Sequence, residues 1–303
     1  MIINPYQIRI FLEGKCFFLN IGFILAILRE HLLYICSSEG NMQGEKILIV
    51  CVDYFSQAET RSYIRSVKSL SADIDIVVVC NSGFVDFNED GMSGVYTYDF
   101  NYNLGYMEAA HKGIQRYLET NVMPSWIILS NTDIEFPDSS FFEKLKLDSR
   151  LNSIIAPDIV TLDKVHQNPF LLNRPSSKKL KILTIIYSYF ILNEFYSFFS
   201  TFRKKYFMAN RSIPSCDIYA PHGSFIIFGR DYFLNSPTLE HPTFLYGEEL
   251  HIAERARLKS MKVIYDKAYN IKHKEHVTTS KISSFEKAKI MKRSLVTILK
   301  EYY

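Results

Sequence analysis

The chain has 303 residues, 48% hydrophobic, 15% aromatic and 22% charged, with 35 Lys plus Arg against 32 Asp plus Glu and a formal charge of +3. That much apolar surface excludes general disorder, because its burial offsets the ordering entropy; the near-balanced charge argues against a nucleic-acid binder, which carries a marked basic excess. Five scattered cysteines (Cys16, Cys36, Cys51, Cys80, Cys216) form no C-x-x-C pair, so neither a disulfide framework nor a structural zinc site is readable and a reducing compartment is expected.

The first 44 residues differ from the rest. Residues 16–28 (CFFLNIGFILAIL) are apolar, but Arg29-Glu30-His31 interrupts them before residues 32–36. That makes a poor spanning helix, which wants about 20 mostly apolar residues. Arg9 and Lys15 ahead of the run suit a signal peptide, yet ICSSEGNMQGEK offers no convincing small-x-small cleavage site. The other reading is an upstream extension, since Met42 stands just before the first regular strand and is a second candidate start.

From Lys46 the pattern is regular. Residues 47–52 (ILIVCV) form a short continuous apolar run, as a doubly buried parallel strand should. A helix is expected over 59–70, with Tyr63, Ile64, Val67 and Leu70 on one face. A second strand follows over 74–80, a third over 95–98, a helix over 108–118, and a fourth strand over 126–129. Strands alternating with helices at this spacing predict an α/β fold with a mostly parallel sheet. Ligands of such sheets sit beyond the carboxyl ends of strands, where Asp53-Tyr54, Asn81-Ser82 and residues 131–133 fall. No Walker motif and no G-x-G-x-x-G occurs in the sequence, so the commonest phosphate-binding readings lack support.

Residues 178–208 stand apart as an insertion. Lys178-Lys179-Leu180-Lys181 opens it, a run over 182–202 carries Glu194 as its only formal charge, and Arg203-Lys204-Lys205 closes it. Ile191, Leu192, Phe195, Phe198, Phe199 and Phe202 share one helical face, with Asn193, Glu194, Ser197, Ser200, Thr201 and Lys204 on the other. Two readings are open: a helix lying in a membrane interface between cationic ends, or a helix packed on its own domain. Residues 281–303 read as a C-terminal helix.

Four blocks then line up in order: Asn103-Leu104-Gly105-Tyr106 with Ala109 and Gly113-Ile114; Ser130-Asn131-Thr132-Asp133; Pro221-His222-Gly223-Ser224 leading into 225–228 and Gly229-Arg230; and Phe244-Leu245-Tyr246-Gly247-Glu248-Glu249-Leu250, with Arg255 and Ile271-Lys272-His273 behind it. Together they resemble the family 2 glycosyltransferases with the GT-A fold, in particular the rhamnosyltransferase-like branch of bacterial surface polysaccharide synthesis. The resemblance runs from Lys46 to Ser280, about three-quarters of the chain.

It implies a GT-A (Rossmann-like) α/β domain over 45–280 and an inverting transfer of a sugar from a nucleotide-sugar donor to a glycan or lipid-linked glycan acceptor. A divalent cation, Mn²⁺ or Mg²⁺, would neutralise the departing diphosphate. Asp133 matches the second acid of the family's D-x-D-like motif; Asn131 replaces the first. His273 matches a further metal ligand of some members and tilts the preference toward Mn²⁺. Glu249 takes the place of the catalytic base, with Glu248 orienting the acceptor or capping the helix. On residue chemistry alone, both acids also suit a helix N-terminus, which favours negative charge by ~0.3–1 kcal/mol.

Asp53, Tyr54, Asn81, Gly105 and Asn131 match donor contacts, Cys80 standing where the family usually has Asp. Gly105 would let the backbone approach the nucleotide. His222 and Gly223 fall on the acceptor side, and Glu275-His276 with Thr278-Thr279-Ser280 resembles the loop covering the donor phosphates. The charge balance predicts no nucleic-acid partner, the interfacial reading of 178–208 a membrane surface as partner, and the whole a cytoplasmic location on the inner face of the cell membrane. Two other readings stay open. A sugar-nucleotide nucleotidyltransferase would need a Gly-rich, Lys-bearing loop, and residues 53–58 contain neither. A catalytically silent nucleotide-sugar-binding subunit would explain Asn131 and Cys80, but not the retention of Asp133 and the Glu248-Glu249 pair.

Overall fold

The computed structural model describes residues 7–12, 15–20, 46–88, 91–203, 213–234, 239–240, 244–275 and 283–303. The chain divides into two compact units, Met1–Gly44 and Glu45–Tyr303. In the first, β1 (Gln7–Leu12) and β2 (Lys15–Asn20) form an antiparallel hairpin with Leu12 opposite Lys15. The apolar run that starts at Cys16 therefore begins as strand; its continuation from residue 21 and Met42 lie outside the described residues.

The second unit is built on a nine-stranded sheet. In chain order its elements are β3 (Ile47–Asp53), α1 (Gln57–Leu70), β4 (Asp75–Cys80), β5 (Val95–Asp99), α2 (Met107–Leu118), β6 (Trp126–Ser130), β7 (Ile134–Glu135), α3 (Phe141–Lys146) and β8 (Ser153–Thr161). Then come α4 (Ser177–Ile186), α5 (Phe190–Arg203), β9 (Cys216–Ile218), β10 (Phe225–Gly229), α6 (Asp231–Leu234), α7 (Glu248–Leu258), β11 (Lys262–His273) and α8 (Ser284–Tyr302). The spatial order is β5-β4-β3-β6-β10-β8-β11-β7, with β9 on β11. Strands β3, β4, β5, β6, β8 and β11 share one direction; β10, β7 and β9 run against them. The expected mostly parallel, helix-flanked α/β sheet is thus the observed one.

The continuous apolar runs are explained by burial on both faces. Leu48, Val50, Val77, Val79, Ile127 and Leu129 point to one layer, which α2 covers; Ile47, Ile49, Cys51, Ile76, Val78 and Ile128 point to the other, covered by α1 and α3. Helix α2 lies so close that a Cβ on Gly113 would come within 2.7 Å of Val79 and 3.0 Å of Val77. Among the described residues Cys51, Cys80 and Cys216 are free thiols.

The amphipathic insertion is two helices, α4 and α5, bent by 115° at their junction. Among the described residues no single helix is long and apolar enough to cross a membrane. On α5 the apolar face points outward: Phe195 is 60% exposed and Phe198 67%, with Ile191, Leu192 and Phe199 also exposed, while Asn193 is buried. Lys204, Lys205 and the side chains of Phe202 and Arg203 lie outside the described residues. The C-terminal helix is no appendage: Leu295 and Ile298 of α8 bury against Leu180 of α4 and Leu250 of α7, inside the same compact unit.

Candidate active site

The sheet carries the polar residues to one edge. Asp53 ends β3, Asn81 follows β4, Asn131 follows β6, and His273 ends β11. Strand β10 runs the other way, so its beginning reaches the same edge: Phe225 lies opposite Ser130, and the Asn131 N–H donates to the Ser224 carbonyl at 2.8 Å. The Pro221-His222-Gly223-Ser224 turn is thereby set beside Asn131 and Asp133.

The two-residue strand β7 does the next piece of positioning. Ile134 pairs with His273, and the Lys274 N–H donates to the Asp133 carbonyl at 3.0 Å. This brings His273 Nε2 to 3.2 Å from Asp133 Oδ1, with both side chains largely buried. Asp133 Oδ1 receives no hydrogen bond in that position. The imidazole is held from behind: its Nδ1 lies 2.8 Å from Gln167 Oε1, and Gln167 Nε2 donates to Glu275 Oε1 at 2.7 Å. A carboxylate accepts only, so Glu275 fixes the amide with its oxygen toward His273. That oxygen takes a proton on Nδ1, so in the neutral imidazole the Nε2 lone pair faces Asp133. Two acceptors in van der Waals contact around a buried, unbonded carboxylate oxygen fit a cation between them, with Gln167 orienting the imidazole as outer partners of metal-bound histidines do. Among the described residues no group of three His, Cys, Asp or Glu side chains converges to hold a metal; those residues offer two donors here, one oxygen and one nitrogen.

The acidic pair opens α7 after a tight turn. Gly247 has φ +88, which favours glycine, and a Cβ there would collide with the Ser294 hydroxyl. Ser294 of α8 donates to the Tyr246 carbonyl at 2.6 Å and holds the turn. Adjacent side chains usually diverge, yet both carboxylates approach Gly223. A Cβ on Gly223 would sit 3.1 Å from Glu248 Cγ, 3.1 Å from Glu249 Oε1 and 3.2 Å from Glu248 Oε1. The absent side chain is what makes room for the pair. Burial, and then the negative charge of Glu249, push the Glu248 carboxyl up to about 8. The helix N-terminus favours the charged form by ~0.3–1 kcal/mol, which opposes this shift. Tyr106 closes this side, its hydroxyl 3.4 Å from the Gly223 carbonyl; burial, then the Glu248 charge, keep it a neutral phenol.

His222 joins the two halves. Its ring centroid is 6.3 Å from that of His273, its Nδ1 lies 2.9 Å from Ser224 Oγ, and its N–H donates to Asn168 Oδ1 at 2.8 Å. Metal-ligand candidates and acidic pair are therefore linked through the His222-Gly223 turn.

The donor candidates are distributed differently. Asp53 is buried; its Oδ1 accepts from Thr60 at 2.7 Å and Ser56 at 3.1 Å, while Oδ2 is buried without a hydrogen bond. Tyr54 is exposed beside it. Asn81 is turned inward: it donates to the Gly105 carbonyl at 2.7 Å and accepts from the Leu104 N–H at 3.3 Å, ordering the loop before α2. Gly105 has φ +78, and the close neighbour that excludes a Cβ is the Phe244 carbonyl, so the tight approach there is made by the chain's own backbone. Asn131 is partly exposed at the strand tip. His276 and residues 278–280 of the expected phosphate-covering loop lie outside the described residues.

Gln167 and Tyr106 were not singled out as site residues by sequence. Gln167 sits beyond β8 in a stretch without periodicity, and its N–H bond to the Ile159 carbonyl at 2.8 Å folds it back onto β8, the neighbour of β11.

No family model matches the chain, and no curated protein matches it. Among solved structures, it is similar to a crystal structure of GalNAc-T7 with UDP, GalNAc and Mn²⁺, at 12% identity and a TM-score of 0.49 over 86% of this chain and 49% of that one. The chain thus spans about half the length of that neighbour. It is also similar to glucosyl-3-phosphoglycerate synthase from Mycobacterium tuberculosis in complex with Mn²⁺, UDP and glucosyl-3-phosphoglycerate, at 12% identity and a TM-score of 0.46 over 84% of this chain and 79% of that one.

Proposed function

We propose that the chain is an inverting glycosyltransferase of the GT-A type, moving a sugar from a nucleotide-sugar donor to a glycan or lipid-linked glycan acceptor in surface polysaccharide synthesis. The observation that carries this reading is a juxtaposition: the Asp133–His273 pair and the Glu248-Glu249 carboxylates both neighbour the His222-Gly223 turn. Asp133 and His273 would hold the divalent cation, Mn²⁺ before Mg²⁺ on account of the imidazole. When bound, it supplies charge neutralisation for a diphosphate leaving group. Asp53 and Tyr54 would meet the nucleobase and Asn131 the donor at the strand tip.

Glu249 serves as the base, taking the acceptor hydroxyl proton as that oxygen attacks the anomeric carbon. Glu248 is the carboxyl whose ionisation is suppressed beside it, so it donates a hydrogen bond and positions the acceptor. Gly223 leaves the space in which the acceptor hydroxyl reaches Glu249.

The reading includes a membrane surface and the inner face of the cell membrane. Its support is the outward-facing apolar side of α5 and the lysines that open α4, a pattern of interfacial helices. Glu249→Gln tests the chemistry: transfer falls about 10²–10⁴-fold, while donor affinity by calorimetry stays at the wild-type value. Asp133→Ala, or EDTA, abolishes donor binding instead. Normal transfer by Glu249→Gln would place the base elsewhere.

A further inference from the structure

Beyond this site, a cavity of about 590 Å³ opens between Phe244 and one face of α8, lined by Lys289, Lys292, Arg293, Ile290, Val296 and Thr297. The spacing 289, 292, 293, 296, 297 is that of a single helical stripe. Lys289, Lys292 and Arg293 are exposed, and among the described residues no carboxylate bonds to any of their side chains. Like charges three and four residues apart destabilise a helix. They also stand away from the last turn, where cations would be favoured. Such an arrangement suits a polyanion.

The surroundings narrow its identity. None of the candidate donor or metal residues lines this cavity. Its Phe244 wall runs, through Tyr246 and Gly247, into Glu248 and Glu249, and Ser294, next to Arg293, fixes the Tyr246 carbonyl. The cavity is therefore joined to the acidic pair through the 244–247 turn, although the Phe244 carbonyl also abuts Gly105. Phe244, Ile290 and Val296 give it an apolar wall, and α8 packs on α4, which leads into the exposed apolar face of α5.

We infer that Lys289, Lys292 and Arg293 bind the phosphate or diphosphate ester of an acceptor carried on an apolar chain, holding its sugar toward Glu249. This rests on the glycosyltransferase reading for the word acceptor, but the anion site itself does not. A guanidinium can fork onto two phosphate oxygens and the two ammonium groups supply point charges; the apolar wall takes the first part of the chain.

The test is calorimetry with farnesyl diphosphate in EDTA at 0.15 M salt, on the full chain and on Lys289→Ala/Lys292→Ala/Arg293→Ala. Expected is saturable binding to the wild type, weakened at least 10-fold in the triple variant, with UDP–Mn²⁺ binding within twofold of wild type and an unchanged melting temperature. Inorganic diphosphate should bind at least 10-fold more weakly than the farnesyl ester. Equal binding of farnesyl diphosphate by wild type and variant overturns the proposal, as does equal affinity for inorganic diphosphate, which would reduce the site to a bare anion patch. Loss of UDP–Mn²⁺ binding in the variant also overturns it, by moving the cations to the donor side. If the wild type binds farnesyl diphosphate through these cations but never binds UDP–Mn²⁺, the site stands and the glycosyltransferase reading fails.

Discussion

Replacing Glu248 by Gln keeps its size and polarity and removes one ionisation whose cost the fold bears. Burial and the Glu249 charge raise that carboxyl from 4.5 to about 8, so between these values the native state holds a proton that the unfolded chain has released. Stability from this group is fully present below pH 4.5 and is lost as pH rises through about 8. At ~1.4 kcal/mol per pH unit the interval bounds the loss at about 5 kcal/mol; partial exposure of the side chain and sharing of the proton with Glu249 reduce it to about 2 kcal/mol. Urea midpoints at pH 5 to 9 and fixed salt check this. The wild type should lose ground to Glu248→Gln as pH rises, with the variant the more stable of the two at pH 9. Glu249→Gln should move the wild-type inflection to lower pH by removing the neighbouring charge. Parallel curves for wild type and Glu248→Gln across the range would refute the buried-pair reasoning.

Gln167→Leu removes the acceptor that keeps the His273 proton on Nδ1. Mn²⁺ affinity, followed by EPR titration, should fall about 10–100-fold with the melting temperature nearly unchanged; wild-type affinity would show that the imidazole needs no such partner. Gly223→Ala places a methyl 3.1 Å from both acidic side chains and should lower transfer at least 10-fold, leaving UDP–Mn²⁺ binding intact by calorimetry. Phe195→Ser/Phe198→Ser removes two exposed rings worth roughly 2–3 kcal/mol each when inserted in lipid. It should abolish co-sedimentation with vesicles containing 30% phosphatidylglycerol without changing the fold by circular dichroism, and a wild type that never sediments would refute the interfacial reading.

The sequence alone determined the strands and helices of the first half of the sheet, because a strand buried on both faces must be apolar at every position and a covering helix at every third or fourth. Residues 47–52 and 126–129 show the first pattern and Tyr63, Ile64 and Val67 the second. Through the resemblance of its four ordered blocks it also singled out Asp133, His273, Glu248 and Glu249. Tertiary structure decided what these residues meet. His273 lies far from Asp133 along the chain, and the pairing of Ile134 with His273 joins them; a two-residue strand has no periodicity to read. The inward turn of Asn81, the Phe244 carbonyl against Gly105 and the relay through Gln167 to Glu275 are likewise contacts between distant loops. Whether the phenylalanines of α5 face outward or into the core was equally undetermined by their spacing, since an apolar stripe specifies a partner face but not its location. Only the packing of α4 against α8, with Asn193 turned inward and Phe195 and Phe198 left outside, fixed it.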